Sequence, residues 1–252
     1  MKKMIFLLLS SLLITVCHAQ DVNVLLKEAD NFDRQLKEPD AVEKYKAVLA
    51  IDAKNIKALV RLTEISCAIG GRVIDKKARK PFYDQAVVYA GQALAANENS
   101  AEANYAMALA ASKELEVESE NKKSAEDIRQ WQQFSAKAIQ IDPTYGKGNY
   151  LLGKWHLEMN NASWFKKAAT KTLYGGMPAV SLDTAIVYLE KCRVQDPYFV
   201  ANFLDLAKAY QAANRPPKSM EVLNKLVKLP TRLPDDVALK AEGKKMLEQQ
   251  IQ

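Results

Sequence analysis

Residues 185–231 read AIVYLEKCRVQDPYFVANFLDLAKAYQAANRPPKSMEVLNKLVKLPT. Ala185 is followed four positions later by Leu189 and then by Pro197. The same order returns at Ser219, Leu223 and Pro230-Thr231, and Ala185 and Ser219 are 34 residues apart. Between the two copies lies Phe203-x2-Leu206-Ala207-x2-Tyr210. Small residues at these spacings let two antiparallel helices approach closely, and large ones fill the gaps between them. A proline ends the second helix because it lacks the N–H that the next turn requires. One such helix pair cannot bury its own apolar face, so neighbouring pairs must stack.

This order is similar to the tetratricopeptide pattern, Trp-x2-Leu-Gly-x2-Tyr, then Ala-x3-Phe, then Pro, with conservative replacements. The same reading extends upstream. Leu25, Ala29 and Phe32 make a first helix. Ala41, Tyr45, Leu49 and Ala53 make its partner, with Glu38-Pro39-Asp40 at the turn. Leu59 and Leu62 open a second unit, whose second helix carries Ala86, Ala90, Ala93 and Leu94; about 11 residues are inserted near 70–81, judged against the ordinary repeat length. A third unit has AEANYAMALAASKELEV and FSAKAIQIDP, with the charged run 118–127 as a solvated loop or helix end. The fourth opens at Asn149-x2-Leu152-Gly153-x2-His156 and closes at Pro197. From Pro234 a polar-faced helix with Val237, Leu239, Ala241 and Met246-Leu247 suits a terminal cap, which repeat arrays require. No strand alternation is convincing. The expected fold is all-α, a tetratricopeptide-like α-solenoid of about five helix pairs with an inserted helix and a C-terminal capping helix.

The N-terminus reads differently. Lys2 and Lys3 precede Met4–Val16, thirteen residues without charge. That run is shorter than the roughly 20 residues a membrane span needs, and Cys17-His18-Ala19 supplies small residues ahead of a cut before Gln20. Residues 1–19 are therefore expected to be a secretory signal peptide, and 20–252 a single helical-repeat domain, periplasmic or secreted. Acylation of Cys17, as in a lipoprotein, is the alternative, which Ile14-Thr15-Val16 fits poorly. Removing Lys2 and Lys3 lowers the formal charge from +6 to +4. Such mild basicity argues against nucleic acid, which calls for a clustered basic face. Cys67 and Cys192 remain, either as one disulfide in an oxidising compartment or as two buried small residues. With only His18 and His156 in the chain, no histidine-rich metal site is expected.

Residues 162–185, ASWFKKAATKTLYGGMPAVSLDTA, occupy the place of a short turn inside the fourth unit. The first helix should end near Met159-Asn160-Asn161 and the second should start near Ser181. Between them Phe165, Ala168, Ala169, Thr172 and Leu173 share one helical face, and Lys166, Lys167 and Lys171 share another. Gly175-Gly176 stops this extra helix. Ser181 is placed as an N-cap, with Asp183 in the first turn, where the helix dipole favours a negative charge.

At these residues the chain resembles the regulator of microtubule dynamics family. The run from Leu151 to Pro197 carries Gly153-Lys154-Trp155, then Ser163-Trp164 with Lys167 soon after, then the Gly176 and Pro178 turn, then the helix Ala185 to Pro197. The later LAKAYQAANRPPKSMEVLNKLVKLPTRLPDD is also similar. The resemblance covers 143–247 well and the earlier units loosely. It implies a tetratricopeptide-like solenoid without a catalytic centre, used for protein interaction, here as a bacterial exported homologue. The microtubule association in the family's name is not carried over, because an exported chain has no obvious access to tubulin.

Catalytic motifs are absent: there is no Gly-x-Ser-x-Gly, no His-Glu-x-x-His and no phosphate-cradling glycine loop. The expectation is a non-enzyme with no cofactor. The sharpest candidate surface is the concave side. Lys147, Tyr150 and Lys154 lie on one helical face, and Tyr105 and Lys208 project from neighbouring units. Such a surface suits an extended acidic peptide, with ammonium groups pairing carboxylates and rings giving rigid contact; an ordinary solvated face is the alternative. Lys166, Lys167 and Lys171 form a second patch, for an anionic partner or lipid headgroups, or simply a solvated face. The expected function is a monomeric scaffold that binds a protein or peptide in its groove within an envelope-associated assembly. A carrier of lipid or another apolar ligand is the alternative.

Overall fold

The computed structural model describes residues 21–162 and 179–251. The leader (1–19), the inserted helix and its Lys166, Lys167 and Lys171 lie outside the described residues. Among the described residues eleven helices follow in chain order: α1 (21–34), α2 (Glu38–Ile51), α3 (Ile56–Arg72), α4 (Lys76–Ala96), α5 (Ala101–Val117), α6 (Asn121–Ile141), α7 (Gly146–Asn161), α8 (Leu182–Gln195), α9 (Val200–Ala212), α10 (Pro216–Leu226) and α11 (Asp236–Ile251). No strand occurs among the described residues. The helices pair as α3/α4, α5/α6, α7/α8 and α9/α10, and α11 packs on α9 and α10 as a terminal cap; α1 packs on α2 through Ala29, Ala41 and Tyr45.

The turns recur because their chemistry recurs. Asp52, Asn97 and Asp142 stand 45 residues apart, and each returns its backbone N–H to the carbonyl four residues before it. Asn55 and Ser100 then cap the next helices, accepting from Ala58 N and Ala103 N, each at 3.1 Å. Within the first and last pairs the chain reverses through a left-handed residue, Leu36 (φ 60°) and Asn214 (φ 56°). In both turns a 6→1 bond closes the helix, Lys37 N to Phe32 O and Arg215 N to Tyr210 O. Asn adopts that conformation at less cost than Leu; Pro39 and Pro216 then start the following helices. Ser181 caps α8 by accepting from Thr184 N at 3.3 Å, and α7 ends at Asn161, as the sequence predicts. The extra residues near 70–81 lengthen α3 and α4 rather than forming a long loop, and Pro81 lies inside α4. The charged run 118–127 is a break of three residues followed by the first turns of α6.

Small residues set the helix spacing. Ala86, Ala90 and Ala93 of α4, Ala103, Ala106 and Ala110 of α5, and Ala185 of α8 are fully buried. Within the fourth pair the helices approach closely at Gly153, where an added Cβ would lie 2.8 Å from Leu189 Cγ and 3.1 Å from the Ala185 carbonyl oxygen. Gly153→Val should therefore lower stability by about 1–3 kcal/mol through overpacking. Gly91→Ala, where a Cβ meets nothing within 4 Å, should raise it by about 0.5–1 kcal/mol. Urea titration of both variants checks this; equal midpoints would remove close approach as the role of Gly153.

Candidate functional site: the concave face

The first helices of successive pairs, α3, α5, α7 and α9, line the concave side. Two carboxylates organise it, Asp205, which is buried, and Glu64, whose side chain is 11% exposed. Glu64 on α3 accepts from Tyr105 Oη at 2.8 Å and from Lys147 Nζ at 2.5 Å, and it also pairs with Arg61. Arg61 in turn reaches back to Asp33 at the end of α1, with Nε at 2.9 Å. Asp205 on α9 accepts from Tyr150 Oη and Lys154 Nζ, both at 2.9 Å. Each hub is thus one carboxylate taken by a tyrosine and a lysine from other pairs, the third and fourth at Glu64 and the fourth alone at Asp205. In each, the lysine also stands over its tyrosine ring, Lys147 at 5.8 Å from the Tyr105 centroid and Lys154 at 5.9 Å from that of Tyr150. Lys208 is 4.0 Å from Asp205 and 2.8 Å from Glu242 of α11.

The five groove residues named from sequence therefore fall into two hubs, Tyr105 and Lys147 at Glu64 and Tyr150, Lys154 and Lys208 at Asp205; Lys154 and Lys208 line neither cavity described below, and the electrical state differs from a free basic face. Lys147 and Lys154 are committed to Glu64 and Asp205, and Tyr105 and Tyr150 are buried beneath them. Burial alone would raise the Glu64 carboxyl, but Lys147 and Arg61 outweigh it and hold the group at about 2. Asp205, against the same desolvation, is lowered by Lys154 and Lys208 and by the Tyr150 hydroxyl. Burial and Glu64 push the Tyr105 phenol far up, so it stays a donor. A carboxylate held at about 2 is a poor proton acceptor at neutral pH. Cys67 and Cys192 are both buried and free, and burial raises both thiols, Cys67 to about 12. Asp127 is pushed up to about 6, chiefly by burial, but it is not among the residues lining either cavity described here.

A cavity of about 370 Å³ lies on the concave side, floored by Ile65, Cys67, Tyr105, Leu109, Tyr150 and Phe199. A second, of about 660 Å³, opens between the inter-repeat turns. Arg61, Glu64 and Lys147 line both, as a rail between them. The first cavity's lining carries six carboxylates, Asp33, Glu38, Glu64, Asp196, Asp235 and Asp236. Against them stand four cations, Arg61, Lys113, Lys147 and Arg232. The lining thus carries more acid than base, unlike a basic face built for an acidic chain. The carboxylates are the residues that sequence reasoning missed. Asp205 carried a signal, because it interrupts the apolar run of Phe203-Leu204 and Leu206-Ala207. Glu64 carried little beyond the Arg61 one helical turn before it.

The C-terminal part of the chain closes the cavity. Residues 232–236 and Leu239 form one wall. Arg72, at the end of α3, pairs with Glu38 and donates to Asp235 Oδ1 at 2.7 Å, so the second helix pair is joined to the segment leading into α11. Among the described residues no helix is long and apolar enough to cross a membrane, and no group of three or more His, Cys, Asp or Glu is arranged to hold a metal ion.

Comparison with known proteins agrees with this architecture. The family model described as regulator of microtubule dynamics protein 1-3 matches residues 25–251. The chain is 29% identical over 112 residues to regulator of microtubule dynamics protein 1 of Caenorhabditis elegans, covering 44% of this chain and 50% of that protein. It is 26% identical over 170 residues to the protein of that name from Mus musculus, covering 67% of this chain and 55% of that one. The chain thus spans about half the length of these relatives. Among solved structures, a thermophilic tetratricopeptide repeat protein of Thermus thermophilus superposes with a TM-score of 0.65 at 12% identity, covering 90% of this chain and 99% of that one. That likeness shows the fold, a tetratricopeptide-like α-solenoid.

Proposed function

The chain belongs to the regulator of microtubule dynamics protein 1-3 family, and from that premise we propose that it is a non-catalytic helical-repeat scaffold that takes a protein segment into its concave face. The observation that carries this reading is the cavity floored by Tyr105, Leu109, Tyr150 and Phe199, with the Glu64 rail along one side. Aromatic and aliphatic anchors in a concave, partly desolvated setting are where binding energy concentrates. The rail's ion pairs hold the floor's side chains in fixed positions before a partner arrives, which lowers the cost of ordering them. The glutamate at the centre, held at about 2, supports a positioning role over acid–base chemistry.

In the same reading residues 1–19 are a signal peptide removed before Gln20. The mature chain then acts as a monomer in the periplasm or outside the cell, within an envelope-associated assembly. The charge-free run behind Lys2 and Lys3 supports this. Lys166, Lys167 and Lys171 are offered as a separate contact for an anionic partner or membrane surface.

A second reading, a carrier of lipid or another apolar ligand, is favoured by one observation: one wall of the cavity is the chain's own segment 232–236. A volume of about 370 Å³ also falls within the range of small-molecule sites, roughly 300–1,000 Å³.

One experiment separates the two. A photo-cross-linking amino acid replaces Ala68, which lines the cavity and makes no ion pair. The protein is expressed in its native cells with and without Ala201→Trp, which fills the cavity from α9. The scaffold reading expects a discrete protein adduct that Ala201→Trp abolishes. No protein adduct, with an apolar molecule in the organic extract of the purified chain, would overturn it in favour of the carrier.

A further inference from the structure

The wall formed by residues 232–236 differs from the rest of the concave face in how it is held. Both of its ends are anchored. Leu229 is buried, with its carbonyl accepting from Lys240 Nζ at 2.6 Å, and α11 packs through Gly243 against Leu226. Between the anchors the chain makes a compact turn, because the buried Asp236 carboxylate accepts from Arg232 N at 2.7 Å and Leu233 N at 2.8 Å. Two side-chain contacts join the turn to the rest of the groove. The Arg232 guanidinium lies 3.9 Å from the Tyr198 ring centroid, and Asp235 receives Arg72. The Arg72 and Asp235 side chains are 37% and 36% exposed, so this ion pair is solvated and contributes little. By contrast, the carboxylates of Glu64 and Asp205 are 11% and 9% exposed and each is held by several donors.

The turn therefore presents to its own groove what a bound segment would present. Its cation stacks on an aromatic ring, Leu233 and Pro234 face the cavity, and its carboxylate meets an arginine. We infer that residues 232–235, Arg-Leu-Pro-Asp, are an internal stand-in for the partner, and that the groove takes a protein segment of the same chemistry, cation, aliphatic, proline, carboxylate, once this turn is displaced. The inference rests on the scaffold reading and specifies it. Because the turn is tethered, it competes at an effective concentration in the millimolar range, and a free segment binds the unaltered chain only weakly.

The test uses a fluorescent synthetic peptide of residues 229–237, LPTRLPDDV, and the full mature chain, read by anisotropy. In Arg232→Ala/Asp235→Ala, both altered side chains are outside the core, and far-ultraviolet circular dichroism and the thermal midpoint confirm the fold. This variant is expected to bind the peptide at least tenfold more tightly than the unaltered chain. Adding Arg72→Ala, or reversing the peptide's aspartate at position 235 to lysine, reduces the gain. Backbone amides of 231–235 should exchange faster in the variant while those of α5 and α7 do not change. Equal binding by all proteins, or a gain insensitive to Arg72, would overturn the inference. The cross-link at position 68 keeps the two readings apart. If its protein adduct persists but does not increase in Arg232→Ala/Asp235→Ala, the stand-in fails and the scaffold stands. If no adduct forms in any background, the scaffold itself fails.

Discussion

Trp155→Ala is expected to destabilise the chain by about 3–5 kcal/mol. Trp155 on α7 and Trp131 on α6 are 1% and 2% exposed. Trp131 Nε1 donates to the Leu151 carbonyl on α7, and Trp155 Nε1 donates to the Ile128 carbonyl on α6, both at 3.0 Å. The two indoles thus clamp the third helix pair to the fourth from both sides. Truncating one removes its buried volume, leaves a cavity that its neighbours fill only in part, and removes a buried hydrogen bond. Trp155→Phe keeps much of the volume and loses the donor, so its cost should be smaller. In a solenoid, stability is close to a sum of unit and nearest-neighbour interface contributions. Weakening this one interface should therefore also split the unfolding transition into two. Urea unfolding followed by circular dichroism reads both effects. A loss below about 1 kcal/mol, with one unchanged transition, would show that the clamp does not join the halves.

Glu64→Ala should cost about 3–5 kcal/mol, because removing one member of a buried charged cluster leaves its partners uncompensated. The partners here are Lys147 and Arg61, with Tyr105 losing its acceptor. The pH dependence follows from the direction of the shift. The Glu64 carboxyl is lowered from 4.5 to about 2 in the folded chain, and in the unfolded chain it titrates near its ordinary value. Its contribution is therefore fully present above about pH 4.5 and is lost as pH falls towards 2. By linkage the total is about 3 kcal/mol. Other carboxylates, such as Asp205 and Glu116, are also lowered, so the raw acid limb reports several groups. The difference between the unaltered chain and Glu64→Gln isolates one of them. Denaturant midpoints measured from pH 7 to pH 2 should converge for the two proteins as the acid end is reached. Parallel curves would mean that Glu64 is not the group titrating.

These two sites differ in how much of them could be read beforehand. The second tryptophan belongs to Gly153-Lys154-Trp155, whose helix and close approach to Ala185 follow from spacing alone. The partnership with Trp131, 24 residues earlier in the chain, does not. Lys147, Tyr150 and Lys154 are legible as one helical face, because three- and four-residue spacings fix which side chains share a side. Their acid partners are not legible. Lys147 meets Glu64 across 83 residues and Lys154 meets Asp205 across 51. The face was therefore readable, and its charge was not.

The sequence by itself determined the helix pairs, their order and most of their ends. Ser181 as a cap, Asn161 as a stop and the small residues at Gly153 and Ala185 act through atoms a turn or a neighbouring helix away, so their effect is written locally. The tertiary structure alone decided that the lysines of the concave face are neutralised, and that Arg72 reaches Asp235 across 163 residues to close a cavity. Both outcomes depend on the curvature of the array. That curvature is the sum of small rotations between successive pairs. Each rotation is set by how a whole interface packs, and no single residue spacing records the sum.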